Sequence, residues 1–228
     1  MQRKINIINH FKGEVCLSYT CIKKKNNVVT QTNNIFDQIN FNKTDLAIPI
    51  QRHTDNVIWI DRGGVYKNCD GIASNLSYNV TLSLSVADCV PVCMFDPQTQ
   101  NFALIHSGWK GTHKKISENG VKLLIENQSK AKDIMVYCGV SISQKNYEVG
   151  AEVASLFLDK NLISNGNKFL LDIKAQIKDD LISVGLKAEN IFKMEECTYD
   201  NNSFPSYRRD GDKAGRITFF MGKYIGRN

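Results

Sequence analysis

Three residues of this chain, Cys89, His106 and His53, have side chains that commonly bind zinc in proteins. Cys89 interrupts the apolar stretch SVADCVPVCMFD, and His106 lies at the end of the next one, NFALIHS. The residues between them have about the length of two strands and a turn, so Cys89 is expected to face His106 across a hairpin. His53 precedes a further strand, NVIWID, and could approach the same place from a loop.

One thiolate and two imidazoles would leave the fourth position of a tetrahedral Zn²⁺ ion open to water or substrate, as in catalytic zinc sites. Asp88 is then a candidate general base, or a partner that orients one imidazole. A hydrogen bond that the Asp88 carboxylate accepts from the backbone at a strand bulge is an equally good interpretation. The three residues do not form a compact local zinc motif. Spacing alone therefore favours a buried core cysteine and histidines that cap strand ends.

Two further interpretations stay open. In the first, no metal is needed, because Cys89 would be a nucleophile and His106 its base, as in a cysteine hydrolase or deamidase. His53 discriminates this interpretation from the zinc site, since a Cys/His dyad does not need a second histidine. In the second, a metal only stabilises a scaffold that binds a partner.

Short strands and a few helices must position these residues. Alternating apolar residues predict strands in NVIWID, VTLSLSVAD and NFALIHS, and a helix is predicted at about 113–128. EVGAEVASLFLDKN and FLLDIKAQIKDDLISVG have helical patterns. The remaining predictions are strands in INIINHF, GEVCLSYTCI, DIMVYCGV, ENIFKMEE and RITFFMG, a hairpin turn at KKKNN and a short helix in NIFDQINF. Because strands and helices do not alternate strictly, the predicted class is α+β, or mixed α/β in layers, in a single domain over residues 1–228.

Composition excludes several classes of protein. With 42% apolar and 23% charged residues, the 228-residue chain is typical of a globular protein, and it contains neither a signal peptide nor a membrane span, so a cytoplasmic location is expected. The seven cysteines are expected to be reduced thiols. The net charge is +6, but the lysine-rich segment 22–27 is typical of a solvated loop and lacks the aromatic residues of a nucleic-acid site.

The stretch VADCVPVCMFD, followed by ALIHSGWKG, closely resembles two blocks of the YfiH-like, or laccase-domain, family. QRHTDNV, CDGIASN, YEVGAEV and CTYDNNSFPSYRRDGDKAGR resemble further blocks, in the same order, over residues 51–221. The resemblance implies a layered fold of mixed sheets flanked by helices, with a metal in a surface pocket. It also implies that His53, Cys89 and His106 are the metal ligands.

The same resemblance implies a zinc-dependent purine nucleoside phosphorylase that acts on adenosine, inosine and methylthioadenosine, with adenosine deamination as a second activity. Its expected partners are a purine nucleoside and phosphate, without nucleic acid or membrane, and the expected state is a monomer or a homodimer. The family's older label, polyphenol oxidase, is disfavoured because a multicopper site needs many imidazole ligands and the chain has four histidines. Copper could still occupy the Cys/His site.

Phosphorolysis requires cations that hold phosphate. Lys110, Arg208, Arg209 and Arg216 are the candidates, and Arg208 and Arg209 are favoured because they lie in the SYRRD part of a matched block. A structural ion pair between Arg209 and Asp210 is the alternative. Lys110 replaces the family's usual arginine and loses bidentate geometry.

Two aromatic residues, Trp109 and Tyr207, are candidates to stack on the purine, although either could equally belong to the core.

Overall fold

The computed structural model describes residues 6–8, 15–22 and 45–223. The predicted hairpin turn at KKKNN and the short helix in NIFDQINF lie outside these residues. The strands are β1 (Asn6–Ile8), β2 (Val15–Ile22), β3 (Leu46–Pro49), β4 (Val57–Trp59), β5 (Gly64–Tyr66), β6 (Gly71–Asn75), β7 (Thr81–Val86), β8 (Val90–Phe95), β9 (Asn101–Ser107), β10 (Met135–Cys138), β11 (Glu148–Val149), β12 (Leu162–Asn165), β13 (Lys168–Leu171), β14 (Ile191–Lys193) and β15 (Arg216–Lys223).

Short α-helices connect these strands. They are α1 (Trp109–His113), α2 (Ile116–Glu126), α3 (Ala151–Ala154), α4 (Ile173–Ser183) and α5 (Tyr207–Asp210). Turns of 3-10 helix cover Leu76–Tyr78, Ala131–Asp133, Gln144–Asn146, Asp159–Asn161, Ala188–Asn190 and Gly211–Lys213. Within the described residues, no helix combines the length and the apolar character that crossing a membrane requires.

Within the described ranges, the strands form three sheets. The first has the order β1-β2-β15-β7-β3-β5, the second β14-β10-β8-β9-β6-β4 and the third β11-β13-β12. The first two sheets contain both parallel and antiparallel pairs. The predicted mixed α/β class is confirmed.

The second sheet lies between two apolar layers, which explains why β8 is buried at all six positions. One of its faces packs on the first sheet, through residues such as Cys93, Phe95 and Leu104. Its other face, with Val92 and Met94, packs on apolar residues of α2 and α4. The protein is therefore layered as sheet, sheet and helices, with the second sheet as the central layer.

The apolar run 80–95 is not one broken strand. Its first half, β7, pairs with β3 and β15 in the first sheet, whereas its second half, β8, pairs with β9 and β10 in the second. Residues 87–89 form the connection between the two sheets, and Asp88 has the positive φ of 82° that this sharp change of direction uses. Cys89 thus lies in a turn, outside either strand.

One helix prediction is confirmed with a shifted start, and another is wrong. The helix predicted at about 113–128 is α2, which begins at Ile116 because Lys115 adopts a left-handed conformation with φ of 65° and separates it from the short α1. The helix predicted in EVGAEVASLFLDKN is only the four residues of α3, flanked by β11 and a 3-10 turn. The helix predicted in FLLDIKAQIKDDLISVG is confirmed as α4, which follows β13 and is capped by the Asp172 side chain.

Candidate metal centre

Three side chains from separate segments meet at one end of the two large sheets. One ligand atom from each of His53, Cys89 and His106 lies within 4.8 Å of the others. The Cys89 Sγ atom is 3.9 Å from His53 Nε2, and the two imidazole rings lie edge to face with centroids 4.8 Å apart. His106 is buried, Cys89 is half-buried and His53 is exposed, so the cluster opens to solvent on the side of His53.

The register of the hairpin differs from the predicted one. His106, in β9, pairs with Pro91 of β8, because β8 begins only at Val90. Cys89 therefore does not face His106 across the ladder, but reaches it from the turn that precedes the strand. His53 comes from the loop after β3, where its φ of 57° is left-handed.

Asp70 positions both histidines, a role that the sequence analysis did not identify. This buried carboxylate accepts a hydrogen bond from His106 Nδ1 at 2.8 Å and another from the His53 backbone N–H at 2.9 Å. It also accepts hydrogen bonds from the Arg52 and Thr54 N–H groups. Because Asp70 occupies Nδ1, the Nε2 atom of His106 remains available as a ligand.

The prediction that Asp88 orients an imidazole is wrong for His106, whose partner is Asp70. The Asp88 carboxylate instead accepts hydrogen bonds from the Thr198 hydroxyl and the Arg208 backbone N–H. Asp88 thereby joins the turn that carries Cys89 to α5 and to the loop that precedes it. A signal for Asp70 was present in the CDGIASN block, but an Asp-Gly pair is also typical of an ordinary turn.

Neighbouring groups in this cluster shift the pKa values of Cys89, His106 and Asp70. Burial would raise the pKa of the Cys89 thiol, but the hydrogen bonds and charges of His106 and His53 lower it to about 7. Burial would lower the pKa of His106, but Asp70 and Cys89 raise it to about 9. The hydrogen bonds that Asp70 accepts keep the pKa of its carboxyl group well below the usual range, although burial opposes this. The two histidines thus increase the fraction of Cys89 that is thiolate, which is the form that binds metals.

The donor set and the space around it fit a zinc ion. A thiolate with two imidazoles is an established type of zinc ligand set. Gly108, which follows the β9 strand, keeps this space open, because a Cβ atom there would lie 2.8 Å from Cys89 Sγ and 3.1 Å from His53 Cδ2. Its φ of −83° is available to any residue, so the glycine is needed for space and not for backbone conformation.

The cluster forms part of the wall of a pocket of about 430 Å³. This volume lies within the range of about 300–1,000 Å³ that is usual for small-molecule sites. The described lining residues are Gln51, His53, Ser85, Val86, Ala87, Cys89, His106, Tyr207 and Arg216. Of the two predicted stacking residues, Tyr207 lines the pocket, whereas Trp109 packs partly buried against the core between the second sheet and the helices.

Three of the four cations predicted to hold phosphate, Lys110, Arg208 and Arg209, lie outside this lining. The Arg209 guanidinium forms an ion pair with Asp210 and donates to three backbone carbonyls, as in the structural alternative. Arg208 lies over the Tyr147 ring and donates to the Glu148 carbonyl. Lys110 lies over the ring of its neighbour Trp109. The cation that does line the pocket is Arg216.

Comparison with known proteins identifies the family of this chain. Residues 7–223 match the model of the family described as multi-copper polyphenol oxidoreductase laccase. The chain belongs to this family. Within the laccase-like family, the purine nucleoside phosphorylase YlmD of Bacillus subtilis is 34% identical over 87% of this chain and 78% of its own. Adenosine deaminase RL5, from an unknown prokaryotic organism, is 29% identical over 82% of this chain and 78% of its own.

A solved structure supports the fold. The hypothetical protein YfiH of Bacillus licheniformis superimposes with a TM-score of 0.89 over 96% of both chains, at 24% sequence identity. This similarity shows that the two proteins share the layered fold. Relatives named as purine nucleoside phosphorylase and adenosine deaminase indicate that members of the family are enzymes.

Proposed function

We propose that this protein is a zinc-dependent purine nucleoside phosphorylase that acts on adenosine, inosine and methylthioadenosine and also deaminates adenosine. The convergence of His53, Cys89 and His106 at the wall of a pocket large enough for a nucleoside carries the proposal. Relatives named purine nucleoside phosphorylase and adenosine deaminase support the two reactions.

The residues of the pocket have separable tasks in this proposal. When bound, Zn²⁺ would supply Lewis-acid chemistry at the position that the three ligands leave open. Asp70 holds His106 in the tautomer that directs Nε2 into the site. Tyr207, which is half exposed at the pocket, offers an aromatic face for the purine ring.

Phosphorolysis is a substitution at C1′ of the ribose. A phosphate oxygen forms a bond to C1′ while the bond from C1′ to the purine nitrogen breaks, its electron pair remains on the purine, and a proton is taken up there. The products are a purine base and ribose 1-phosphate. Deamination instead uses water and releases ammonia. The two reactions therefore differ in their requirement for phosphate.

A second candidate function is favoured by one observation. Asp70, His106 and Cys89 form a chain of carboxylate, imidazole and thiol, the order in which a cysteine nucleophile is activated. In a metal-independent hydrolase or deamidase, His106 would deprotonate Cys89 and Asp70 would stabilise the imidazolium. That chemistry does not need His53 as a second histidine.

Metal analysis combined with product analysis tests the proposal. The purified protein, dialysed and analysed for zinc and copper, is incubated with adenosine, with and without phosphate. We expect one zinc per chain, adenine only when phosphate is present, and inosine in either case. Copper at the site together with phenol oxidation would instead support the polyphenol oxidase alternative. Zinc without adenine, inosine or hypoxanthine would contradict the proposed activity and favour a metal-stabilised scaffold.

Alanine at His53 separates the zinc enzyme from the thiol enzyme. We expect His53→Ala to lose both zinc and nucleoside turnover, because it removes one of three ligands. Retention of full activity in a zinc-free His53→Ala protein would favour the cysteine hydrolase.

A further inference from the structure

We infer that Arg216 forms the phosphate subsite of this pocket, an inference that rests on the proposed phosphorolysis. Arg216 is the first residue of β15, and its neighbour Ile217 pairs with Val86, the last residue of β7. The turn that carries Cys89 begins directly after Val86. The fold therefore places this guanidinium at the same end of the first sheet as the metal cluster.

The charges of the pocket wall single out Arg216. Among the described residues that line the pocket, it is the only lysine or arginine, and no aspartate or glutamate accompanies it. The same lining holds Cys89, His53 and His106. Among these described lining residues, Arg216 is the one side chain that stays positively charged at any pH near neutral, so it is the one expected to attract a dianionic phosphate.

The hydrogen bonds of the Arg216 guanidinium leave two of its three nitrogens available to a ligand. Nη1 donates to the carbonyls of Ala214 and Gly215, at 3.1 and 2.8 Å, which anchors the side chain beside its own backbone. Within residues 6–8, 15–22 and 45–223, no acceptor lies within hydrogen-bond distance of Nε or Nη2. An arginine that is exposed at a pocket, partly anchored and free to donate through two nitrogens suits bidentate binding of a phosphate.

The other candidate cations lie outside the lining of the pocket. Arg209 is fully engaged, because all three of its guanidinium nitrogens bind Asp210 or backbone carbonyls. Arg208 and Lys110 each lie over an aromatic ring. Position at the pocket therefore selects Arg216 from the candidates that the sequence offers.

The test compares Arg216→Gln and Arg216→Lys with the wild-type protein. Lys223→Gln is the matched control, because this exposed lysine ends the same strand and its substitution removes the same charge. We expect Arg216→Gln to raise the KM for phosphate in inosine phosphorolysis by about 10- to 100-fold, the usual effect of losing a charged hydrogen bond. Arg216→Lys is expected to recover only part of this loss, since a lysine keeps the charge but not the fork. Zinc content and adenosine deamination are expected to stay at the wild-type level in all variants.

A binding measurement keeps the inference independent of turnover. Inorganic phosphate is expected to raise the melting temperature of the wild type and of Lys223→Gln, but not of Arg216→Gln. An unchanged KM and an unchanged phosphate-dependent shift in Arg216→Gln would overturn the inference while leaving the proposed function intact. Equal loss of deamination and phosphorolysis in Arg216→Gln would also overturn it, because the residue would then not be specific to phosphate. A wild type without phosphorolysis would contradict the proposed function, and the phosphate-dependent shift would still decide whether Arg216 binds the anion.

Discussion

A side chain at Gly108 would collide with two of the three candidate ligands. We expect Gly108→Ala to lower zinc affinity at least about tenfold, because the added methyl group would press on Cys89 Sγ and the His53 ring. The protein is expected to remain folded, with a loss of about 1–3 kcal/mol from overpacking. Zinc titration and urea unfolding measure the two effects.

Gly166→Ala is the control for Gly108→Ala. A Cβ atom at Gly166 meets nothing within 4 Å, but its φ of 63° is unfavourable for alanine. This variant is expected to lose about 1–2 kcal/mol of stability without any change in zinc affinity. If both alanine variants bound zinc as the wild type does, the space at Gly108 would be irrelevant to the site.

Asp70 connects the loop of His53 to the ring of His106 through a single carboxylate. Asp70→Asn is expected to lower zinc affinity about 10- to 100-fold, since an amide cannot accept all the hydrogen bonds that reach the two oxygens. Asp96→Asn is the matched control, because Asp96 is equally buried and caps the β8–β9 turn. Calorimetric zinc titration of both variants is the measurement. A comparable loss of zinc affinity in Asp96→Asn would show that general destabilisation, and not positioning, explains the effect.

The residue types of the metal cluster could be predicted from the sequence, but its supporting contacts could not. The sequence itself shows a cysteine and two histidines near predicted strands, and residues of these types can bind a metal ion. Asp70 was missed because an aspartate before a glycine has the appearance of a turn residue. The SYRRD block favours Arg208 and Arg209 over Arg216, because the sequence does not show which of these guanidinium groups lies at the pocket.

The junction between α1 and α2 supports α1, the helix that begins directly after Gly108. Lys115 has a left-handed backbone there, and its ammonium group binds the buried Asp180 of α4 and Glu118 of α2. Lys115→Ala is expected to be less stable than Lys115→Gly by about 1 kcal/mol, because both lose the ion pairs but only alanine retains the cost of a positive φ. Urea unfolding of the two variants measures the difference. Greater stability of the alanine variant would mean that helix propensity outweighs the turn.

The boundaries of the elements were less predictable than their types. The apolar pattern of residues 80–95 identifies strand residues, but does not show that β7 and β8 belong to different sheets. A strand buried on both faces has no alternation from which its orientation could be read. The same limit explains the incorrect register, because the position of Cys89 relative to His106 depends on where β8 starts.

The whole molecule brings together ligands that belong to different layers. His53 lies in the loop after β3, a strand of the first sheet. His106 lies near the end of β9 in the second sheet, and Cys89 lies in the connection between the two sheets. A bound ion would therefore link the two large sheets. An ion that binds only the folded arrangement also stabilises it.

Zinc is accordingly expected to raise the melting temperature of the whole chain. At a free zinc concentration about 100-fold above the dissociation constant, the gain is about 2.7 kcal/mol, or about 5–10 °C for a chain of this size. Cys89→Ala is expected to lose the shift, because it removes the thiolate ligand. Cys21→Ala, which alters a partly buried cysteine of β2 outside the cluster, is expected to retain it. Differential scanning calorimetry with zinc and then with a chelator measures the shift and its reversal. An equal zinc-dependent shift in Cys89→Ala would place the stabilising ion elsewhere, and the link between the two sheets would have to be abandoned.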